Sequence, residues 1–569
     1  MFARPLSRSS HRIAAAALAV ALHPSGATAA PAARAAGTAV PAILDFDGLG
    51  TGHTQSFRVT SNGGRLTVAT SNPAIAKVVP HAIDARAGLA ATFSVVPVRA
   101  GTARLTIRGP AGRLALVTVR VTTATLVLHD VFAATRSLRI ETYRFADGRS
   151  SVTTLGLDPR SPRPCALESG GRRCTVTVGA TAGAARLRVT FLAERRGRVI
   201  PYAITQRIVA FAPAADTPVE LSNAAFEAYF PVSGTPVGSV AAGPPGDPHV
   251  WFVTATATGA RLVKSAGRVN SSYPVPKIDG SVTLARGASR YLWFALATSQ
   301  PAGSLAPSYV GAVAVGGATS LWTTAADPTC GVRYAPLSIA VGPDGNPWFL
   351  ETLCRTIGVG TLANGTQLNY PFPQDIAGNA MYAARPAQHE IATGADGTLW
   401  FFVRQCGLQH YACDAALPAR GAIGHITTRG GLRFFTLPSA AACADGFLTP
   451  GGDGNIWFAQ PCAPAGAAPY VASTVGRIDA AGHVTEFAGL GSVADDIAEG
   501  PDGNVYLATS GSVARVLTRG TRAGRIDEYL SRRSPAQLTS VGAGPDGFLY
   551  ATDALGRYAR ISVPSHVDR

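Results

Sequence analysis

The sequence is poor in lysine and in charged residues generally, and it has no long apolar run. No stretch of about 20 apolar residues occurs, so a membrane-spanning helix is not expected. Lysine supplies three of the 50 basic residues, and the arginines are scattered along the chain. The net charge of +16 is therefore interpreted as a solvated surface, and no nucleic-acid partner is predicted.

Several catalytic signatures are also missing. The sequence contains no G-x-S-x-G, no H-E-x-x-H and no P-loop, which removes the local evidence for an α/β-hydrolase, a zinc peptidase or a P-loop nucleotidase. Helical periodicity is absent over the N-terminal half. With 47% hydrophobic residues, 62 glycines and 40 prolines, the composition instead favours a globular all-β protein with many short strands and turns.

The N-terminal residues have the pattern of an export signal. Three arginines precede an apolar run from Ile13 to Leu22, and a small-residue site follows at Ala27 to Ala29. We therefore predict a signal peptide over residues 1–29 and a linker over 30–40, and a protein that is periplasmic or secreted.

The cysteine content fits the same destination. Eight is an even number, and cysteines of an exported chain are expected to form disulfides. A zinc site is the alternative, but C-x-x-C pairs and histidines at zinc-finger spacing are lacking. The expected pairs are Cys165 with Cys174, Cys330 with Cys354, Cys406 with Cys413, and Cys443 with Cys462.

Two modules precede the C-terminal half. Residues 41–125 alternate between apolar and polar side chains, as in Ser56 to Thr60, and resemble bacterial Ig-like domains. Residues 126–220 contain further strand patterns, and we predict a second β-sandwich there. Both modules are expected to act as spacers or binding units.

Residues 221–569 contain an internal repeat. The segment from Ile339 to Phe349, with a Gly-Pro-Asp-Gly turn and a Trp-Phe pair, recurs along this half of the chain. Each repeat ends on an aromatic anchor: Trp251, Trp293, Trp348, Trp400, Trp457, Tyr506 and Tyr550. Spacings of 40 to 60 residues are typical of four-stranded blades, which predicts a seven-bladed β-propeller.

Each repeat predicts its own strands. Asp-Gly suits a tight hairpin turn, and the aromatic pair on the second strand should fill the gap between blades. The last repeat offers three strands only. Phe226 to Val232 resembles a fourth strand, so we predict that it pairs with the C-terminal strand and closes the ring.

The repeats resemble those of the streptogramin (virginiamycin B) lyase family, most closely from Trp348 to Gly358. The resemblance implies an elimination that opens the ester linkage of a cyclic depsipeptide. It also implies Mg2+ held by glutamates, with histidines that bind substrate and act as acid or base.

Two residues match the functional positions of that family in type. His389 stands just before the first strand of its repeat, and Glu351 ends the second strand of the preceding repeat. Both are candidate catalytic residues, and Glu351 is the candidate Mg2+ ligand. The candidate binding residues near them are Arg355, Glu390, Arg404 and Asp495.

Two function classes follow. The first is an exported propeller that binds a small molecule, a peptide or a cell-surface ligand on its loop-rich face without catalysis. The second is a Mg2+-dependent carbon–oxygen lyase, or a hydrolase, acting through His389 and Glu351. The sequence favours the first class.

Overall fold

The structure is a computed structural model that describes most of the chain between residues 38 and 563. The ranges outside the description are 1–37, 48, 131–134, 149, 157–164, 169–170, 196, 258, 276–281, 288–289, 297–307, 327–334, 353–356, 373–379, 383–388, 407, 410–411, 414–419, 439–445, 463–471, 488–489, 491, 532–535 and 564–569. The predicted signal peptide therefore lies outside the described residues. The described part is almost entirely β-structure, with one short 3-10 helix at Thr51–His53.

The first module consists of two sheets packed face to face. Its strands are β1 (Ala39–Val40), β2 (Ile43–Phe46), β3 (Gln55–Thr60), β4 (Gly64–Thr70), β5 (Ala76–Val79), β6 (Ala82–Ala85), β7 (Ala90–Pro97), β8 (Gly101–Gly109) and β9 (Gly112–Val121). The sheet orders are β1-β3-β7-β5 and β2-β9-β8-β4-β6. Alternate residues of both sheets meet in one core, where Phe57 and Phe93 stack with ring centroids 5.5 Å apart.

The second module also has two sheets. Its strands are β10 (Thr123–Asp130), β11 (Thr135–Arg144), β12 (Ser150–Gly156), β13 (Cys165–Glu168), β14 (Gly171–Gly179), β15 (Gly183–Arg195), β16 (Arg198–Phe211) and β17 (Asp216–Ser222). One sheet has the order β13-β14-β10-β17, and the other contains β12-β11-β15-β16. Leu126, Leu187 and Leu221 are among the buried side chains between them.

Seven antiparallel sheets, which we call sheets I to VII, and one separate two-stranded hairpin account for the described strands after residue 222. Sheet I contains β19 (Thr235–Pro236), β20 (Ala241–Ala242), β21 (Val250–Thr256), β22 (Gly259–Ala266) and β23 (Val269–Pro274). Sheet II contains β24 (Val282–Arg286), β25 (Tyr291–Leu296), β26 (Tyr309–Ala314) and β27 (Thr319–Thr323). Sheet III contains β28 (Ala335–Val341), β29 (Pro347–Thr352), β30 (Ile357–Ala363) and β31 (Thr366–Pro371).

The remaining four sheets follow the same order. Sheet IV contains β32 (Ala380–Tyr382), β33 (Ile391–Thr393), β34 (Leu399–Cys406), β37 (Arg420–Ile426) and β38 (Leu432–Thr436), with a small hairpin of β35 (Leu408–Gln409) and β36 (Ala412–Cys413). Sheet V contains β39 (Phe447–Pro450), β40 (Ile456–Cys462), β41 (Ala472–Ile478) and β42 (Val484–Phe487). Sheet VI contains β43 (Ala494–Glu499), β44 (Val505–Thr509), β45 (Ser512–Val516) and β46 (Ile526–Leu530). Sheet VII contains β47 (Leu538–Ala543), β48 (Leu549–Asp553), β49 (Arg557–Ser562) and β18 (Ala225–Pro231).

The innermost strands of these sheets form a closed ring. Each contacts the next in the order β20, β24, β28, β33, β39, β43 and β47, and β47 returns to β20. Hairpins carry the chain from each inner strand outward. This radial arrangement is that of a β-propeller, which confirms the propeller expected from the repeats.

The closing strand lies where the sequence predicts it. β18 pairs antiparallel with β49, with Ala225 opposite Ser562 and Phe230 opposite Tyr558. A strand from the start of the propeller thus completes the sheet at its end, and Phe230 stacks on Tyr558 with centroids 5.0 Å apart.

The aspartates of the hairpin turns also accept hydrogen bonds from the aromatic anchors. In sheet III, Asp344 accepts a backbone hydrogen bond from Asn346 at 3.2 Å and a bond from Nε1 of Trp348 at 3.0 Å. The turn is thereby tied to the buried aromatic anchor. The same link joins Asp247 to Trp251, Asp396 to Trp400, Asp453 to Trp457, Asp502 to Tyr506 and Asp546 to Tyr550.

At six of the seven junctions around the ring, an aromatic side chain of an outer strand packs against a turn glycine of the next sheet. Phe435 of sheet IV stacks on Trp400 of its own sheet at 5.7 Å, and its ring covers Gly482 in the β41–β42 turn of sheet V. A Cβ at Gly482 would lie 2.1 Å from that ring, and the residue has φ +95, so glycine is required there. The equivalent contacts are Tyr273 with Gly317, Trp322 with Gly365, Tyr370 with Gly430, Phe487 with Gly524 and, across the closure, Phe230 with Gly267.

The second module is joined to the propeller through a shared sheet. β16 pairs with β46, so that β12, β11, β15, β16 and the four strands of sheet VI form one eight-stranded sheet. Asp527 is fully buried at this junction and contacts Arg207 at 2.5 Å, Arg525 at 3.1 Å and Arg515 at 3.5 Å. Next to it, Gln206 donates to Glu528 at 2.7 Å.

Candidate functional site at the strand-start mouth

The inner strands all begin at one end of the ring, which we call the strand-start mouth. The second strand of each sheet ends at this same mouth because the two strands form an antiparallel hairpin. At the mouth, a side chain near the start of several inner strands accepts a hydrogen bond from a backbone N–H of the following sheet. With the backbone donor named first and the side-chain acceptor second, the pairs are Leu284 and Ser239 at 2.6 Å, Glu390 and Ser338 at 3.1 Å, Val541 and Asp496 at 3.0 Å, and Val240 and Ser540 at 3.0 Å.

His389 forms hydrogen bonds with two other sheets at the mouth. Its carbonyl accepts from the N–H of Leu448 in sheet V at 2.7 Å, and its ring Nδ1 lies 2.6 Å from Oδ1 of Asp496 in sheet VI. His389 itself belongs to sheet IV, so its side chain passes beyond the adjacent sheet toward the ring axis. Its backbone has φ +57, a conformation that is uncommon outside glycine and that concentrates at functional sites.

The pairing with Asp496 sets the chemistry of the imidazole. Asp496 is fully buried, and its second oxygen already accepts from the N–H of Val541. An ionised carboxylate can only accept, so Nδ1 of His389 donates, and in the neutral ring Nε2 is the acceptor. Burial lowers the pKa of His389, but the charge of Asp496 and this hydrogen bond outweigh burial, and the pKa lies above its ordinary value.

Asp495 occupies a β-bulge beside this pair. The register of β43 against β44 shifts between Ala494 and Asp496, which leaves the Asp495 side chain exposed at the mouth. Desolvation by the surrounding atoms, followed by the charge of Asp496, raises the pKa of Asp495 to about 6. The mouth therefore carries a histidine and a carboxyl group whose pKa values both lie above their ordinary values.

Glu351 lies away from this pair. It ends β29 as expected, but its side chain runs outward across Gly360 to the outer strand, where Nε2 of Gln367 donates to its Oε2 at 2.9 Å. The amide of Asn369, in the orientation that satisfies its partners, donates to the other oxygen at 3.0 Å. Glu351 is fully buried, so the structure brings His389 to Asp496 and directs Glu351 into the body of its own sheet.

The other predicted residues are Glu390, Arg404 and Arg355. Glu390 is fully buried, and its carbonyl accepts from the N–H of Phe402 at 2.8 Å. The backbone of Arg404 lies in β34, opposite Tyr382 and Gly421. Arg355 lies outside the described residues.

The cysteines are described in part. Cys165 and Cys174 are directly opposite each other in the β13–β14 hairpin. The backbones of Cys406 and Cys413 lie in β34 and β36, and that of Cys462 lies at the end of β40. Cys330, Cys354 and Cys443 lie outside the described residues.

Among the described residues, Glu351 and Asp496 do not supply the set of oxygen ligands that Mg2+ requires. Mg2+ takes about six oxygen ligands in octahedral geometry. Both oxygens of Glu351 accept from side-chain amides, and those of Asp496 accept from His389 and Val541. Across the described ranges, no group of three or more His, Cys, Asp or Glu side chains is arranged to hold a metal ion.

Several solved structures are similar to part of this chain. No family model matches the chain, and no curated protein matches it. Among solved structures, it is similar to a streptogramin B lyase at 23% identity, covering 59% of this chain and 95% of the other, with a TM-score of 0.41. It is similar to the virginiamycin B lyase from Staphylococcus aureus at 19% identity, covering 59% and 99%, with a TM-score of 0.42. The WD40 propeller domain of Doa1 matches at 12% identity over 59% and 98%, with a TM-score of 0.37.

None of the helices in the described ranges is long and apolar enough to cross a membrane.

Asp496 is the functional-site residue that sequence reasoning did not identify as the partner of His389. The two are separated by 107 positions and two sheets, so no local pattern links them. A signal exists within the repeat itself, because Asp496 aligns with Ser338 and Ser540, whose oxygens accept the corresponding bonds. Sheets IV and V hold Glu390 and Phe447 at the same position, so the type of residue at this position does not by itself identify the partner of His389.

Proposed function

We propose that this chain is an exported seven-bladed propeller protein that binds a small polar molecule or peptide at the strand-start mouth, without catalysis as its main activity. The proposal rests chiefly on the contact between His389 and Asp496, which holds a partly exposed imidazole at this mouth. Asp495 adds a carboxyl group of raised pKa beside it. Together they offer a hydrogen-bond donor and an acceptor to a polar ligand.

In this proposal, the two N-terminal modules are Ig-like sandwiches that present the propeller, and each of sheets I to VII is one blade. Export would allow the cysteines to be oxidised, and the facing positions of Cys165 and Cys174 suit a cross-strand disulfide. N-terminal sequencing of the secreted protein and non-reducing peptide mapping test these two points directly.

The binding proposal is tested by titrating the full chain with virginiamycin B, chosen because the repeats resemble those of the streptogramin lyases. We expect His389→Ala to weaken binding about tenfold or more, equal to about 1.4 kcal/mol. His483→Ala is the matched control, since His483 also pairs with an aspartate, Asp479 at 2.9 Å, but on an exposed turn. Absence of binding to the wild-type protein, or equal losses in the two variants, contradicts the proposal.

A second function is favoured by one observation. A buried carboxylate on Nδ1 orients an imidazole in the way a general base requires. In this alternative, Nε2 of His389 removes a proton from the substrate in a lyase or hydrolase reaction, and Asp496 stabilises the imidazolium that forms. Mass spectrometry of virginiamycin B incubated with the protein and Mg2+ separates the two functions. Turnover that is lost in His389→Ala but kept in His483→Ala establishes the alternative.

A further inference from the structure

The outer face of the sheet β2-β9-β8-β4-β6 in the first module is rich in arginine. Along β8 the side chains alternate, so that Ala103, Leu105 and Ile107 enter the core while the residues between them point outward. The outward arginines of the three central strands are all exposed: Arg65 on β4, Arg104 and Arg108 on β8, and Arg113 and Arg120 on β9.

Strand register brings these arginines into one band. Arg120 lies opposite Thr102, and Arg104 lies opposite Thr118, so the two arginines are diagonal neighbours. Diagonal neighbours on one face of an antiparallel pair are about 7–8 Å apart. Arg108 lies directly opposite Arg113 further along the same two strands.

The band has little internal compensation. Like charges placed directly opposite each other destabilise a sheet, as Arg108 and Arg113 do here. Asp45 and Asp84 are the acidic residues in register with the band, opposite Arg120 and Arg65. Among the described residues, none of the five arginines forms an ion pair. The guanidinium groups therefore remain available to an outside anion.

We propose that this arginine band binds an acidic polysaccharide. A guanidinium group pairs with carboxylate or sulfate in a bidentate manner. The threonines between the arginines, Thr102, Thr106 and Thr118, supply hydroxyls for the sugar hydroxyls, and the exposed Leu116 offers an apolar surface for a sugar ring.

The same face is poorly suited to single-stranded nucleic acid. Proteins that bind single strands stack the bases on aromatic side chains. The outward residues of β4, β8 and β9 are Arg, Thr, Ala, Gly and Leu, without an aromatic ring among them. A flat sheet with charge and hydroxyls but no stacking platform favours a polysaccharide.

The test measures binding of the full chain to immobilised polygalacturonate, with neutral dextran as the blank and oligo(dT) as the nucleic-acid probe. The triple variant Arg104→Gln, Arg108→Gln and Arg120→Gln removes the centre of the band. A matched triple variant removes the same charge from exposed positions elsewhere: Arg58→Gln, Arg99→Gln and Arg198→Gln.

We expect the first triple variant to weaken polygalacturonate binding about tenfold or more and the matched variant to weaken it less than about threefold, each tenfold being about 1.4 kcal/mol. Equal losses would show that net charge alone drives binding and overturn the proposal. Absent binding by the wild type, or tighter binding to oligo(dT), would overturn it as well. All six positions are exposed, so an unchanged Tm verifies that both variants are folded.

Discussion

At the scale of single residues, equivalent positions of different sheets carry different side chains at the strand-start mouth. Ser338 and Ser540 link adjacent sheets with a hydroxyl, whereas Asp496 does so with a carboxylate that has a second oxygen to spare. That second oxygen holds His389. The carboxylate of Asp496 therefore both links two sheets and holds the imidazole of His389.

The first prediction concerns pH. Because the folded-state pKa of His389 is raised above 6.5, the folded protein binds more protons than the unfolded chain above that pH. The stabilisation from His389 is complete below pH 6.5 and is lost as pH rises through the folded-state pKa. We expect His389→Asn, which tolerates the backbone conformation but does not titrate, to flatten this loss in urea unfolding measured from pH 6.5 upward.

His483→Asn is the comparison for this experiment, because His483 is exposed and its carboxylate partner lies on a turn. The assignment to His389 is wrong if both variants show the same pH dependence of unfolding as the wild type.

The second prediction concerns a single glycine. In Gly482→Ala the new Cβ would meet the Phe435 ring at 2.1 Å. Overpacking of this kind costs about 1–3 kcal/mol, in addition to about 1 kcal/mol for a positive φ. Gly520→Ala shares a positive φ, +75, but meets nothing within 4 Å. Thermal unfolding should show a clearly lower Tm for Gly482→Ala, and equal Tm values would contradict the packing argument.

At the scale of strands, the repeat predicts much of the propeller because each unit carries its own local signals. The predicted strand Val484 to Phe487 coincides with β42, and the aromatic pair Trp348 and Phe349 is buried, each residue on a different side of its sheet. The alternation of side chains predicts which residues share a face of the strand, and Asp-Gly predicts the position of the turn.

Side-chain direction at the strand ends was harder to predict. Glu351 ends its strand at the expected mouth, yet it extends toward Gln367 because Gly360, on the intervening strand, leaves room for it. Sequence position gives the end of a strand, but the space left by neighbours on other strands decides where a long side chain goes.

The third prediction concerns the closing strand. Replacing residues 225–231 with a Gly/Ser segment of equal length should lower the Tm markedly, because β49 loses its partner and Phe226, which is 3% exposed, leaves the core. Removing a buried Phe alone costs about 3–5 kcal/mol. The same replacement of residues 319–321 in β27 is the control, since these three side chains of an outer strand are exposed and Trp322 is kept. A similar fall in Tm for both replacements would show that closure of the ring contributes no more to stability than an ordinary outer strand does.

At the scale of the whole molecule, the sheet shared by the second module and sheet VI makes these two parts one unit. Strand patterns predicted both parts, but their pairing joins Gln206 to Glu528, and no local pattern relates such distant positions. The alternation of apolar and polar residues within each part predicts the two-sheet modules and the propeller. Their attachment depends on the surfaces that the folded parts present.

The fourth prediction tests this junction. In Asp527→Asn, three arginines lose a fully buried carboxylate, and breaking a buried ion pair from one side costs about 3–5 kcal/mol. Urea unfolding of the full chain should report that loss. Glu141→Gln is the control, because Glu141 pairs with Arg139 on the surface, where such pairs contribute about 0–1 kcal/mol.

The same junction should be sensitive to acid. Burial raises the pKa of Asp527, but Arg207, Arg525 and Arg515 outweigh burial and hold it below its ordinary 3.8. The stabilisation is therefore present above pH 3.8 and is lost as pH falls through the lowered folded-state pKa. An Asp527→Asn protein as stable as the Glu141→Gln protein would contradict the role of this carboxylate.

Closure by β18 and β49 also orders the events of synthesis and folding. Ala225 pairs with Ser562, so the first strand of the ring stays unpaired until residues 557–562 have been synthesised. The two N-terminal modules contain all their own strands and can fold earlier, since domains generally fold as units during synthesis. A chain truncated before residue 557 would carry folded N-terminal modules and an open ring with a bare strand edge, a species prone to aggregation.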